Sequence, residues 1–141
     1  MKRILKKVTA LILLSVLVFS LSACANTIKG TEARTHVQHF LEEISEGDFT
    51  EAKTYVHADQ TKDLEDFFNS VEQSREVDFQ DGIEIERVTG FNIMFYSSDV
   101  DGCKYELSMI LTVSEKELPV TVTLVRNDNG FGIRNISFEA N

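Results

Sequence analysis

The stretch YELSMILTV, residues 105–113, sets the fold class of this chain. Apolar and polar side chains alternate along most of it, and successive residues of a β-strand point to opposite faces of a sheet. We therefore expect a strand with one face on a core. Val120, Val122 and Leu124 repeat the alternation after a connection at residues 114–118, and they predict a second strand beside the first.

Two more strands are expected, one before this pair in the sequence and one after it. Residues 127–130, Asn-Asp-Asn-Gly, are a strong hairpin signal and lead into a last strand over residues 131–138. That strand needs a bulge near residues 134–135 if Ile133 and Ile136 are both to face inward.

A first strand is expected upstream of residue 105. Ile83 and Ile85 begin an alternation that residues 91–96 continue, with Gly90 between them as a predicted bulge or bend. Residues 97–102, SSDVDG, predict the turn that leads into the next strand.

Helical periodicity precedes the strands. Thr31 opens a first helix whose apolar residues recur at steps of three and four and so form one stripe: Ala33, Val37, Phe40, Leu41 and Ile44. Gly47 is expected to end this helix, because glycine tolerates the left-handed conformation common at helix C-termini.

Two shorter helices are expected next. Asp48 and Glu51 form an N-cap pair, and the apolar side of the second helix consists of Phe49, Ala52, Tyr55 and Val56. A third helix begins at about Thr61, after a break at residues 57–60, with the apolar stripe Leu64, Phe67, Phe68 and Val71. Helices followed by hairpin-linked strands indicate an α+β fold, with the N-terminal helices packed on one face of an antiparallel sheet.

Composition and charge narrow the class of protein further. A chain of 141 residues with 7 Gly and 1 Pro is neither collagen-like nor of low complexity, and its length suits one domain. The net charge is −9, but residues 1–23 hold four basic side chains and no acid, so the rest carries 10 basic and 23 acidic groups. We expect no nucleic-acid binding, because this acidic surface repels phosphate and no Lys/Arg cluster interrupts it.

The N-terminus has the layout of an export signal, with four basic residues in the first seven and an apolar stretch at residues 8–21. Leu21, Ser22, Ala23 and Cys24 then resemble the lipobox of bacterial lipoproteins. The resemblance implies cleavage before Cys24 and attachment of a diacylglycerol to its sulfur. It implies a signal peptide at residues 1–23, a lipidated Cys with a short tether at residues 24–30, and one domain over residues 31–141.

An uncleaved membrane helix is the alternative for the same segment, since residues 8–25 are uncharged over a length that just spans a bilayer. In either case the basic flank stays in the cytoplasm and the domain lies on the extracytoplasmic side of the cell membrane. If Cys24 carries lipid, Cys103 has no disulfide partner in the chain and is expected to be buried and inert.

Residues 31–139 resemble the nuclear transport factor 2-like superfamily, a cystatin-like α+β cone in which a bent sheet wraps a long helix. They are similar in particular to small bacterial lipoproteins that carry one such domain behind a lipobox. The likeness rests on the opening residues Val37, Phe40, Leu41, Ile44, Gly47, Asp48, Phe49 and Ala52, and on the closing residues Asn129, Gly130, Phe131, Gly132 and Ile133. Phe131 stands where the family usually has Trp. Enzymes of the superfamily place an Asp or a His–Asp pair in the cone, but no residue here matches such a motif, so no catalytic residue is predicted.

Five residues are candidates for lining a small-molecule pocket: Tyr55 and His57 after the second helix, and Tyr96, Tyr105 and Met109 from the sheet. The alternative is that Tyr55 packs, that His57 caps a loop, and that the residues from the sheet belong to the core.

Two groups of residues have side chains that can bind metals, and neither predicts a site. His36, His39 and Glu43 share one side of the first helix, but the helical wheel turns His39 and Glu43 to solvent. The acidic residues Asp78, Asp81, Asp99 and Asp101 lack the spacing of a calcium loop and predict turns. No metal and no cofactor is expected.

The sequence thus predicts a membrane-anchored extracytoplasmic lipoprotein whose domain is a non-catalytic binding or protein-interaction module at the cell envelope. Its expected partners are the membrane, through lipid on Cys24, and a protein of the envelope. An alternative is a small-molecule binding protein or weak enzyme that uses the interior of the cone. A third hypothesis is that an open sheet edge pairs with another chain, as in a homodimer.

Overall fold

The computed structural model describes residues 27–95, 99 and 101–140. In this part of the chain the helices precede the strands, and the elements are α1 (Gly30–Glu46), α2 (Phe49–Ala52), a 3-10 turn (Lys53–Tyr55), α3 (Leu64–Arg75), a second 3-10 turn (Phe79–Asp81), β1 (Glu84–Met94), β2 (Cys103–Val113), β3 (Lys116–Asn127) and β4 (Gly130–Phe138). The predicted α+β class is confirmed. The predicted signal peptide, the lipobox with Cys24, and Tyr96 lie outside the described residues.

The long helix α1 buries the predicted apolar stripe, whose members are Ala33, Val37, Phe40, Leu41 and Ile44. Gly47 ends the helix with a φ of 75°, in the left-handed region. Periodicity and the glycine signal were therefore sufficient to predict this element, which begins one residue before Thr31.

The second helix is shorter than predicted. The Asp48 side chain accepts a hydrogen bond from the Glu51 N–H at 2.9 Å, as the N-cap pair predicted. After Ala52, however, the chain tightens into a 3-10 turn, and Val56 is extended because it forms a parallel bridge with Ile133 of β4. A contact between residues far apart in sequence thus ends this helix.

The third helix begins at Leu64 instead of at about Thr61. The Asp63 side chain accepts a hydrogen bond from the Asp66 N–H at 3.0 Å and so acts as the N-cap. An aspartate in this role satisfies one of the unpaired N–H groups of the first turn.

The described strands form a four-stranded antiparallel sheet in the order β1-β2-β3-β4. In β2, the odd-numbered residues 103–113 are buried and the even-numbered ones are half-buried, as their alternation predicted. We call the face with the odd-numbered residues of β2 the inner face. The helix α1 lies on this face, since Gly30 approaches the Tyr105 hydroxyl.

Both predicted hairpin features of the last two strands are present. Asn127 pairs with Gly130 across the turn, and an irregularity in register leaves Arg134 as the extra residue of β4. Ile133 and Ile136 are therefore both buried on the inner face. The connection from β2 to β3 is tighter than predicted, because residues 114–115 turn with positive φ and β3 begins at once.

The edge strand β1 has two register shifts, one between Ile85 and Arg87 and one between Val88 and Gly90. The second confirms the bulge predicted at Gly90. Each shift inserts one extra residue, so Ile85, Val88 and Phe91 lie on the same face although they are three residues apart. That face is the inner one, since Val88 is paired with Met109 and Phe91 is paired with Leu107.

Candidate functional site

The segment that holds two of the predicted pocket residues is attached to the edge of β4. The His57 N–H donates to the Ile133 carbonyl at 2.8 Å, next to the bridge between Val56 and Ile133. Gly132 permits this approach, because a Cβ at that position would lie 2.6 Å from the His57 nitrogen and 2.9 Å from the Tyr55 oxygen.

The His57 side chain is fully buried, and both of its ring nitrogens are engaged. Nδ1 accepts a hydrogen bond from the Asp59 N–H at 3.1 Å, so the ring proton lies on Nε2, which donates to the Asn127 Oδ1 at 3.0 Å. The same Asn127 oxygen accepts from the Asn129 N–H at 2.9 Å. The imidazole therefore joins the loop after the 3-10 turn to the β3–β4 hairpin.

A pocket of about 420 Å³ opens beside His57, between the 3-10 turn and the start of α3. Its lining includes Lys53, Lys62 and Leu64, but neither Tyr105 nor Met109. His57 lines this pocket. Since its ring nitrogens are already bonded, it offers a ligand no free donor or acceptor.

Tyr55 belongs to an aromatic cluster on α1 and β4. Its ring lies 5.1 Å from the His36 ring and 6.2 Å from the His39 ring, and its carbonyl lies 2.8 Å from the Nε2 of His36. The Phe131 ring contacts His36 at 4.7 Å and carries the Arg126 guanidinium at 4.3 Å. Tyr55 therefore packs, which is the alternative considered for it above.

The pocket candidates of β2 lie in the core. Tyr105 is 3% exposed and Met109 is 1% exposed, and both belong to the apolar cluster between the helices and the sheet. The structure thus places the described members of the predicted set in two regions, Tyr55 and His57 at the edge of β4 and the other two under α1.

Three of the possible metal ligands have hydrogen-bond partners within the domain. The Nε2 of His36 is bonded to the Tyr55 carbonyl, and the Asp81 Oδ2 accepts from the Ser114 hydroxyl at 2.7 Å. The Asp78 Oδ1 accepts from the Gln80 N–H at 2.8 Å and caps the 3-10 turn. Among the residues that the structure describes, no group of three His, Cys, Asp or Glu is arranged to hold a metal ion.

The pKa values of two carboxyl groups of α1 are shifted in opposite directions. Glu32 receives hydrogen bonds from the Arg126 guanidinium and, at 3.4 Å, from the Lys29 N–H, and these contacts lower its pKa. For Glu43, desolvation by burial and then the neighbouring carboxylates, Glu46 first, raise the pKa. The surroundings of Glu32 therefore favour its charged form, and the surroundings of Glu43 disfavour its charged form.

The side chains with the clearest potential for binding are exposed apolar residues in β1 and directly after it. Val88 is 37% exposed, Phe91 is 68% exposed and Phe95, directly after β1, is 53% exposed. We call these three residues the β1 apolar surface. The spacing of Ile85, Val88 and Phe91 was a signal for the bulges, but nothing local to β1 identifies it as an edge strand.

Cys103 is a buried free thiol at the start of β2. No helix between residues 27 and 140 is long and apolar enough to cross a membrane. Comparisons with protein-family models, with curated proteins and with solved structures returned no match for this chain.

Proposed function

We propose that this chain is a membrane-anchored extracytoplasmic lipoprotein whose single domain is a non-catalytic binding module. The anchor is lipid on Cys24, which follows an export signal and the residues Leu21, Ser22 and Ala23. Two or three acyl chains, each contributing about 0.8 kcal/mol per buried methylene, hold a protein stably in a leaflet.

The observation that carries the binding role is the β1 apolar surface. Val88, Phe91 and Phe95 are exposed on or beside an edge strand of the described sheet, whereas the inner-face residues of β2 are all buried. Exposed apolar patches mark interaction sites, and edge strands have unpaired N–H and C=O groups for a partner.

Two residues with reactive side chains support binding over catalysis. A histidine acts as a general base, and a cysteine as a nucleophile, only when its ring nitrogen or sulfur is free and in reach of substrate. Both ring nitrogens of His57 are bonded within the domain, and the Cys103 thiol is buried in the core. Neither group is available to a substrate.

We also propose that the sheet forms the cone of the nuclear transport factor 2-like superfamily. Bulges bend the strand that carries them and increase its twist. The register shifts in β1 and β4 lie on the two outer strands of the described sheet, where such bending would fold the sheet around α1.

The anchor is tested by expressing the full chain in a bacterium and measuring the intact mass of the product extracted from membranes. We expect loss of residues 1–23 and a mass increase equal to a diacylglycerol, with or without a further acyl chain. Cys24→Ser is the matched variant, since it keeps the size of the side chain and removes the sulfur. A retained leader with an unmodified thiol in the parent chain would falsify the proposal.

A further inference from the structure

The chain enters the domain at one end of the sheet and is fixed there from its first described residues. Ile28 is fully buried, and the Thr27 carbonyl accepts a hydrogen bond from the Arg126 guanidinium at 3.1 Å. Arg126 is paired with Cys103 on one side and with Phe131 on the other. This end, which we call the entry end, therefore consists of the start of β2, the end of β3 and the start of β4.

The two exposed rings of the β1 apolar surface lie toward the same end. Met94, the last residue of β1, is paired with Lys104, so Phe95 follows at the entry end itself. Phe91 stacks on the Tyr105 ring at 6.0 Å with an interplanar angle of 10°. The hydroxyl of Tyr105 in turn approaches Gly30, the first residue of α1.

The covalent chain limits how far the entry end can lie from an anchor at Cys24. Cys24 and Thr27 are three residues apart, and three residues span at most about 11 Å when fully extended. Since Ile28 is buried in the domain, residues after Thr27 add no length to this tether. An anchored domain therefore has its entry end within reach of the interfacial region of the bilayer, no more than about 11 Å from the lipid-bearing sulfur.

We propose that Phe95, followed by Phe91, enters the membrane interface and fixes the orientation of the domain on the bilayer. This inference rests on the proposed lipid anchor and names the partner of the β1 apolar surface. The transfer of apolar rings from water to the boundary between headgroups and acyl chains is favourable. The rest of the domain then stands away from the membrane, as its acidic surface requires.

The contact is chiefly apolar, because the two basic side chains of the sheet near the entry end already have acidic partners, and the nearby exposed Lys29 is a single charge and not a basic cluster. The Arg126 guanidinium is paired with Glu32, and the Lys104 Nζ lies 3.3 Å from the Glu106 carboxylate and 3.6 Å from that of Asp99. We therefore expect no requirement for anionic lipid, and zwitterionic phosphatidylcholine is the appropriate probe surface.

The absence of tryptophan from the sequence permits a direct test. Phe95→Trp introduces a single fluorophore at an exposed position, and the lipidated full chain is reconstituted in phosphatidylcholine vesicles with brominated acyl chains. We expect blue-shifted emission and at least a twofold loss of intensity relative to vesicles without bromine. Phe91→Trp is the second variant, with a smaller expected loss.

Gln73→Trp is the matched control. Gln73 is exposed on α3, near Arg75, whose guanidinium donates to the Glu139 carbonyl at 2.6 Å. Glu139 follows β4 at the far end of the sheet, which at about 3.3 Å per residue is roughly 30 Å from the entry end. We expect this variant to emit as in water and to be unaffected by bromine.

The possible results separate this inference from the proposed function. A chain that fails to remain with the vesicles overturns both. A retained chain whose Phe95→Trp and Phe91→Trp variants are quenched no more than Gln73→Trp overturns the membrane contact alone. A third result is a blue shift of the tryptophan emission that grows with the protein-to-lipid ratio and is not accompanied by quenching by bromine. This result also overturns the membrane contact, and it assigns the β1 apolar surface to a second copy of the chain.

Discussion

Gly132 occupies a position where the backbone of another segment leaves no room for a side chain. A Cβ there would meet the His57 nitrogen at 2.6 Å and the Val56 carbonyl carbon at 2.8 Å. Both atoms belong to the backbone segment that is bonded to β4, so neither can move without breaking that contact. We expect Gly132→Ala to lower the free energy of unfolding by about 2 kcal/mol, the usual cost of overpacking.

The matched control for this substitution is Gly90→Ala. Gly90 also lies in a strand, but a Cβ there would meet nothing within 4 Å, and its φ is not positive. We expect a change within about 1 kcal/mol, in the direction of greater stability, because alanine restricts the unfolded chain. Urea unfolding of both variants measures the difference. Equal losses in the two would show that the segment at His57 is not packed on β4 as described.

The pKa shifts of Glu32 and Glu43 predict contributions to the free energy of unfolding that change with pH in opposite directions. The Arg126 guanidinium is the largest cause of the lowered pKa of Glu32, so the charged carboxylate stabilises the fold above its ordinary pKa of 4.5. That stabilisation is lost as the pH falls through the lower folded value. Glu32→Gln is expected to lower the free energy of unfolding at pH 7 by up to about 1 kcal/mol, a partly exposed pair being worth no more.

For Glu43 the signs are reversed. Partial burial and the nearby carboxylates raise its pKa, so the charged form destabilises the fold at pH 7 and this effect disappears as the pH falls below the raised value. Glu43→Gln is expected to increase stability at pH 7. Thermal unfolding of both variants as the pH is lowered from 7 tests these signs, and each difference from the parent chain should shrink as the carboxyl group of the parent becomes protonated. A difference that does not change with pH would contradict the assignment for that residue.

The strand β2 contains two adjacent residues whose substitution tests the register of the sheet. Leu111 is fully buried on the inner face, and Ile110 is half-buried on the outer face. We expect Leu111→Ala to cost about 3 kcal/mol of unfolding free energy, within the usual range for a buried leucine. Ile110→Ala should cost less than half as much. The reverse order, measured by denaturant unfolding, would mean that the strand is slipped by one residue.

The sequence was sufficient to predict elements whose signals are local. The stripe of α1, the left-handed Gly47, the cap at Asp48 and the alternation of β2 each depend on residues a few positions apart. The bulge at Arg134 was predicted because Ile133 and Ile136 cannot otherwise both face the core. These signals determine the class of fold before any long-range contact is known.

The candidate site could not be predicted in the same way, because its residues meet across the chain. The partner of the His57 ring is Asn127, which is 70 residues away. The exposure of Phe91 depends on β1 lying at the edge of the described sheet. Apolar alternation is the same in an edge strand and in a central one, so Phe91 was expected to be an ordinary strand residue.

The short tether between Cys24 and Thr27 relates the proposed anchor to the orientation of the domain and to the position of the β1 apolar surface. An insertion of eight Gly and Ser residues after Asn26 leaves the lipobox and the described domain intact. It increases the greatest span between Cys24 and Thr27 from about 11 Å to about 40 Å. The anchored domain then explores a much larger volume, and its entry end spends less time at the bilayer.

We expect the insertion to leave the chain fully membrane-bound while reducing the bromine quenching of Phe95→Trp by at least half. The same eight residues added after Asn141 are the control, because they change the length of the chain without changing the tether, and they should leave quenching as it was. Undiminished quenching with the longer tether would mean that the rings bind the bilayer strongly by themselves. In that case the affinity of the β1 apolar surface, and not the reach of the chain, would set the orientation of the domain.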